Sequence, residues 1–267
     1  MNNGLMTYIK LYGVFCKQYM KSLMQSKIDF FMGLFGFLCS QVSGLAFIYL
    51  IFRQIPVLKE WTFEQMIFIY GFSQIARGLD HLLTDNLWMV AWQMVIKGTF
   101  DRYMLRPINL LFQIICEKVQ FDAIGELLIG TYIVVRAVRL EVVTFTFISV
   151  PVFVVSVLAG AVIYTSVKLF FSSLAFWVKE SAPFLQTAYD TADFAKYPIE
   201  IYPKIVKTIL VYILPFAFTA YIPATYFLGQ DSFVCTVGLE IIVATVAFMF
   251  SYFIFKKGVN RYESAGS

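Results

Sequence analysis

Charge is scarce in this chain. Only 14% of its 267 residues are Asp, Glu, Lys or Arg, where a soluble domain is nearer ~25%. Its four cysteines, Cys16, Cys39, Cys116 and Cys235, lie far apart and form no CxxC pair. That spacing argues against a disulfide framework or a zinc site and leaves buried, inert thiols as the expectation. No GxxxxGK[ST] loop is present, so the chain does not bind nucleotide phosphates in the P-loop manner. HExxH and GxSxG are absent as well, which removes the motifs of zinc proteases and of serine hydrolases. The N-terminus lacks the short charged region, brief apolar core and small-residue cleavage site of a signal peptide.

Apolar residues are abundant instead: 60% of the chain, with 18% aromatic. They fall in long runs, which makes this an integral membrane protein. Residues 1–28 are not a span. Lys10, Lys17 and Lys21 share one side of a helix, with Ile9, Phe15, Tyr19 and Leu23 mostly opposite. The pattern predicts an amphipathic helix in the membrane surface, or alternatively a packed cytosolic one. Residues 29–267 read as a single transmembrane domain.

The first span is Phe30 to Phe52. Pro56 breaks the chain, and Thr62 with Gln65 reads as a capping box for a second span from about Glu64 to Leu83. Trp88 and Trp92 suit a helix leaving into an interface. A third long helix is expected from Asn109, with Glu117, Lys118, Asp122 and Glu126 in its first half and Arg136 and Arg139 at its end. A fourth starts near Val143 and runs toward Trp177. Two readings of the next part stay open. In one, the apolar stretch within 203–228 is the fifth span. In the other, semi-polar Ser181 to Tyr202 is that span, and 203–228 is a re-entrant hairpin broken at Pro215 and Pro223. The last span is Phe233 to Phe255.

Either reading gives six spans, so both termini share a side. Lys10, Lys17, Lys21, Lys27, Lys97, Arg102, Arg106, Lys179, Lys256, Lys257 and Arg261 lie on that side. Arg53, Lys59, Arg136 and Arg139 lie opposite, joined by Lys196, Lys204 and Lys207 if the hairpin faces out. The excess puts both termini, and the loop between spans two and three, in the cytoplasm. The fold class is therefore all-α: six transmembrane helices, an N-terminal interfacial helix and a polar cytoplasmic insert.

Several polar residues stand out against this background. His81, the one histidine, is near Arg77 and Asp80, a spacing that suits an ion network on one helix face. Lys118 and Asp122 are four apart and can pair if helical. Glu240 is expected near the middle of the last span, with no other charge beside it, and Glu126, Asp190 and Asp193 are further acids at membrane depth or close to it. Acids there are transport-pathway candidates, or else satisfied structural hydrogen-bonders. Gly36, Ser40 and Gly44 line one face of the first span and suit close helix packing, within one subunit or between two. In the insert, Gly98 permits a sharp turn, Asp101, Arg102 and Arg106 offer charged contacts, and Pro107 disfavours helix at Arg106 and can begin the next helix.

The blocks IKGTFDRYMLRPINLLF and YPIEIYP…ILPFAFTAYIPA, the RYESAGS ending and the order of elements resemble the membrane subunit of an ABC-2 type ABC transporter of bacteria, over nearly the whole chain. The resemblance implies a permease of the bacterial inner membrane that works as a homodimer or a related heterodimer among membrane lipids. Two separate cytoplasmic ABC ATPase subunits would carry the ATP and Mg, so this chain would bind no cofactor and be no enzyme. Residues 97–108, with Gly98, Phe100, Asp101, Arg102, Leu105, Arg106 and Pro107, would form the coupling element that seats in the ATPase. The substrate would be an exported lipid, glycan, peptide or drug-like molecule; nucleic acid is not an expected partner. The resemblance favours the hairpin reading of 203–228. A membrane-embedded enzyme of lipid or glycan metabolism is the alternative, and its only candidate cluster is Glu117, Asp122 and Glu126.

Overall fold

The computed structural model describes residues 4–23 and 27–262, so the ESAGS ending and the side chains of Ile9 and Leu23 lie outside the described residues. The chain is mostly helical. Among the described residues the strand content is one small hairpin, β1 (Val57–Leu58) with β2 (Trp61–Thr62), which turns the chain between the second and third helices. Thr62 closes the capping box expected there: its hydroxyl accepts from the Gln65 N–H, and the Gln65 side chain accepts from the Thr62 N–H.

Helix α1 (Gly4–Leu23) keeps Lys10, Lys17 and Lys21 exposed and stacks Tyr19 on Phe121, with ring centroids 6.3 Å apart. Helix α2 (Lys27–Gln54) presents an apolar outer surface at Phe31, Phe35 and Phe47. Helix α3 (Phe63–Thr84) is the buried spine of the protein. After the short α4 (Leu87–Met89), a π-helical turn at Val90–Met94 and α5 (Asp101–Met104), the chain enters α6 (Leu110–Glu117) and α7 (Ile124–Arg139).

The expected third helix is therefore two helices. Lys118 is extended (φ −136°, ψ 127°) and the Gln120 N–H donates to Leu82 O at 3.2 Å. The break prevents the Lys118–Asp122 pair, and Asp122 accepts from the Gln120 side chain at 3.0 Å instead. The fourth span also starts later than Val143. Thr146 accepts from the Ser149 N–H, and α8 (Ser149–Ser173) follows, continued by α9 (Ala175–Val178) until Lys179 turns at φ 65°.

Helix α10 (Ala182–Ala192) and a 3₁₀ turn to Lys196 pack one face on the bundle, burying Leu185, Ala188, Tyr189, Ala192 and Ala195, and leave Phe184 and Phe194 exposed. Eleven residues of α-helix reach about 16 Å, roughly half a hydrocarbon core. Glu200 then meets Lys59 of the β-hairpin, whose Nζ donates to the Glu200 carbonyl at 2.8 Å, and Tyr221 donates to the Glu200 carboxylate. Between these two contacts the chain descends through α11 (Lys204–Thr208) and a π-helical turn to Ile213, breaks at Pro215, and returns through Phe216–Thr219 and α12 (Tyr221–Phe227). The two limbs meet at 71°. Proline removes a donor and clashes with the preceding turn, which explains the break. The last helix, α13 (Leu239–Arg261), follows a π-helical turn at Val234–Gly238.

Among the described residues three helical stretches are long and apolar enough to cross a membrane: 31–54, 149–178 and 234–261. The bent pair makes a fourth if it is counted as one span. Helix α3 carries charged groups on its inner half and α7 has 16 residues, so both are less apolar or shorter than the six-span expectation assumed. They cross each other at glycines. A Cβ on Gly130 would sit 2.8 Å from Gly71 O and 3.0 Å from Ile75 N. Both contacts are backbone and cannot rotate away. Gly130→Ala is accordingly expected to cost ~1–3 kcal/mol, the usual range for overpacking, read as a lower melting temperature of the purified protein.

Candidate functional site

A polar cleft of about 320 Å³ opens where α3, α10 and the 118–123 break come together. Asp85, Asp122 and Asp190 face it, with Trp88 and Tyr189 on its apolar side and Arg77 and His81 along α3. Trp88 meets Tyr189 edge-on, centroids 5.4 Å apart, and His81 stacks on the same tyrosine.

Behind the cleft lies a buried ion network. Lys168, 0% exposed, places Nζ 2.9 Å from Asp80 Oδ2 and 3.2 Å from Asp85 Oδ1. Asp80 is also 0% exposed and accepts hydroxyl hydrogen bonds from Thr84 (2.6 Å), Thr165 (2.8 Å) and Tyr189 (2.7 Å). A buried ion pair is tolerable when its remaining lone pairs are filled, and these three hydroxyls fill them. Three elements supply them: α3, α8 and α10. Arg77 binds Asp193, which Lys196 also approaches at 2.8 Å, and His81 Nδ1 is 3.2 Å from Glu126 Oε1.

The Arg77–Asp80–His81 spacing thus makes no network along its own helix. Each of the three reaches a different element: Arg77 the Asp193 turn after α10, Asp80 Lys168 of α8, and His81 Glu126 of α7. Three of the four acidic candidates converge here: Asp190 lines the cleft, while Asp193 and Glu126 hold Arg77 and His81 on its wall. Glu240 does not. It lies in the first turn of α13 rather than mid-span, fully buried, and accepts a hydrogen bond from Ser156 of α8. The sequence reasoning missed Lys168, Asp80 as an ion-pair partner, and Tyr189. Lys168 had a signal, being a lone lysine in the apolar run of α8, by the same rule that singled out Glu240.

The helix-packing candidates divide. A Cβ on Gly44 would lie 2.9 Å from the Tyr70 hydroxyl, so this glycine packs within the chain, while Gly36 has nothing within 4 Å and Ser40 is exposed. The row Glu117, Asp122 and Glu126 is not gathered into one cluster. Glu117 pairs with Arg102 at 2.7 Å and accepts from the Tyr103 hydroxyl, and the other two acids have the separate partners described above.

The 97–108 stretch is a shaped turn. Gly98 has φ +66°, a region that favours glycine. Phe100 is fully buried against Phe176 and Tyr262, each at 5.0 Å between centroids, and its N–H donates to Met94 O at 3.1 Å. Burial pushes the Tyr262 hydroxyl up to about 12, and the nearby Asp101 carboxylate adds to the rise. Burial also raises Glu117 above the usual carboxylate range, against the opposing charge of Arg102. Beyond these anchors Met104, Leu105 and Arg106 are exposed, Leu105 at 85%. Pro107 does not start the next helix. Asn109 caps α6 instead, its side chain accepting from the Phe112 N–H at 3.1 Å. The residue expected at the helix start thus lies two positions before the cap.

The helices and their apolar surfaces define a multi-pass helical membrane protein. The sequence model described as "ABC-2 family transporter protein" matches residues 38–266. The chain belongs to the ABC-2 family of transporter membrane proteins, and ABC ATPase subunits are the partners that membership implies. No curated protein matches it.

Proposed function

We propose that this chain is the permease subunit of an ATP-driven ABC exporter of the bacterial inner membrane. It crosses the membrane six times, with α3 and α7 as the second and third crossings and both termini in the cytoplasm. The fifth element is α10 with the 204–227 hairpin entering from the outside. Helix α1 lies in the inner interface with its lysines toward the headgroups. The protein works as a dimer with a second permease copy, homologous or identical, and the open surface at Gly36 and Ser40 is the candidate seam.

Residues 97–108 are the coupling element. The observation that carries this reading is mechanical: Gly98 turns the chain, Phe100 and Tyr103 are buried, and an exposed Met104–Leu105–Arg106 tip remains. A tip that transmits force needs a stiff base and a free apolar surface for a soluble partner, and this turn has both. ATP and Mg act on the ATPase, so the chain itself catalyses no reaction. When the ATPases close, the turn moves with α4 and α6, which flank it, and α3 and α8 follow through the ion network.

The test is co-expression with the ABC ATPase encoded beside it. A stable complex through affinity purification and size exclusion, with ATP hydrolysis above that of the ATPase alone, is the expected result. Two separately eluting proteins with unaltered hydrolysis would reject the reading. The exported molecule is a lipid, glycan, peptide or drug-like compound.

A further inference from the structure

The cleft has an unbalanced charge. Around it and its bonded partners stand six carboxylates, Asp80, Asp85, Asp122, Glu126, Asp190 and Asp193, against three permanent cations, Arg77, Lys168 and Lys196. All three cations are already engaged. Lys168 is shared by Asp80 and Asp85, while Arg77 and Lys196 share Asp193. Asp122 and Asp190 receive neutral amide N–H groups, from Gln120 at 3.0 Å and Gln186 at 2.7 Å. Negative charge therefore faces the cavity uncompensated.

The unmet hydrogen bonds point the same way, independently of charge. Gln120 Oε1, on the cleft wall, has no partner. Neither does Glu126 Oε2, which belongs to a residue 1% exposed, directly behind His81. Both are acceptors that lack donors, and a buried acceptor left unmet is costly. The unpartnered donor on the wall, Arg77 Nε, belongs to a guanidinium already bound to Asp193. Trp88 and Tyr189 supply a flat apolar side, and an aromatic face also attracts cations. At 320 Å³ the space is at the small end of ligand pockets, which run ~300–1,000 Å³.

We propose that this cleft binds an organic primary amine, with its three ammonium N–H groups on Asp122, Asp190 and the unpartnered Gln120 Oε1 and its aromatic or apolar body on Trp88 and Tyr189. Such amines are then the class of substrate carried, a step that rests on the export reading above. Asp85 gives the site a route to the rest of the protein. It faces the cleft and also holds Lys168, so an amine drawing on Asp85 competes with Lys168. Lys168 reaches Tyr189 through Asp80, and Tyr189 packs on Phe216 of the hairpin at 6.4 Å between centroids.

The experiment is calorimetric titration of the purified full-length permease in lipid nanodiscs with phenethylammonium. Three comparison ligands keep its phenethyl body and change the head group: 2-phenylethanol, 3-phenylpropionate and trimethyl(phenethyl)ammonium. Saturable binding of the primary ammonium is expected, with no binding of the alcohol or the carboxylate. The trimethyl compound, which keeps the charge but lacks N–H groups, should bind more weakly. The double variant Asp122→Asn/Asp190→Asn should weaken the primary amine at least ~10-fold. Gln186→Lys, which puts a cation at an exposed position on the cleft wall, should do the same and serves if the double variant does not fold. No binding by the wild-type protein, equal binding of alcohol and amine, equal binding of the trimethyl compound, or unchanged affinity in a folded variant would overturn the proposal. The titration contains no ATPase. Absent amine binding with intact ATPase coupling removes this proposal alone, and retained amine binding without ATPase coupling removes the export reading alone.

Discussion

Lys168→Met is expected to destabilise the protein by ~3–5 kcal/mol, the range for breaking a buried ion pair from one side. Lys168 and Asp80 are both 0% exposed and 2.9 Å apart. Methionine fills the space of the lysine stem but leaves the Asp80 carboxylate charged among apolar helices. The three hydroxyls on Asp80 offset part of that cost and cannot supply a countercharge. Asp85, 23% exposed at its side chain, can turn toward water and adds less. The double variant Lys168→Met/Asp80→Asn removes both charges, and much of the loss should return. Melting of the two purified proteins in the same detergent reads the difference. Equal destabilisation by the single and double changes would mean that packing, and not charge pairing, holds α3 to α8.

The second large effect belongs to the 97–108 turn. Leu105→Asp with Arg106→Glu is expected to lower permease-stimulated ATP hydrolysis at least ~10-fold, as loss of an apolar anchor and reversal of a charge at an interface typically do. Folding should be untouched, because Leu105 is 85% exposed and Arg106 is exposed as well. Phe100→Ala makes the contrast. Phe100 is fully buried against Phe176 and Tyr262, so its loss should lower both stability and coupling. Melting temperature and hydrolysis measured on the same preparations separate the two cases. If the double tip variant keeps full stimulation, the exposed tip is not the contact.

The sequence made some of this legible and hid the rest for physical reasons. Gly98 and Pro107 announced a turn, and the capping box at Thr62 and Gln65 announced a helix start, because these signals are local. The long apolar runs located α2 closely, but α8 begins at Ser149 rather than Val143 and α13 runs to Arg261 rather than Phe255. The break at Lys118–Gln120 was hidden because no proline or glycine marks it, and what stops the helix there includes a hydrogen bond to Leu82, far back in the chain. The ion network was hidden for the same reason. Asp80 and Lys168 are 88 positions apart, as their numbers show, and no periodicity links them. Lys168 was readable as an anomaly, but its partner was not. The hairpin was legible as an alternative only. Its prolines signalled a break, and the 71° bend at Pro215 is the form that break takes. Glu240 was identified as an acid within the last span, but its depth was misjudged, because that helix runs on past Phe255 to Arg261.

The central claim is that an ABC ATPase is coupled to this protein through residues 97–108. A cysteine at position 105, in a protein whose four native cysteines have been replaced by serine, tests it most directly. Treatment of the co-expressed complex with a short thiol-to-amine cross-linker, followed by mass spectrometry, should join position 105 to the ATPase and shift the cross-linked band when ATP is added. A cross-link that forms instead from an equivalent cysteine at exposed Phe147, with none from position 105, would contradict the account.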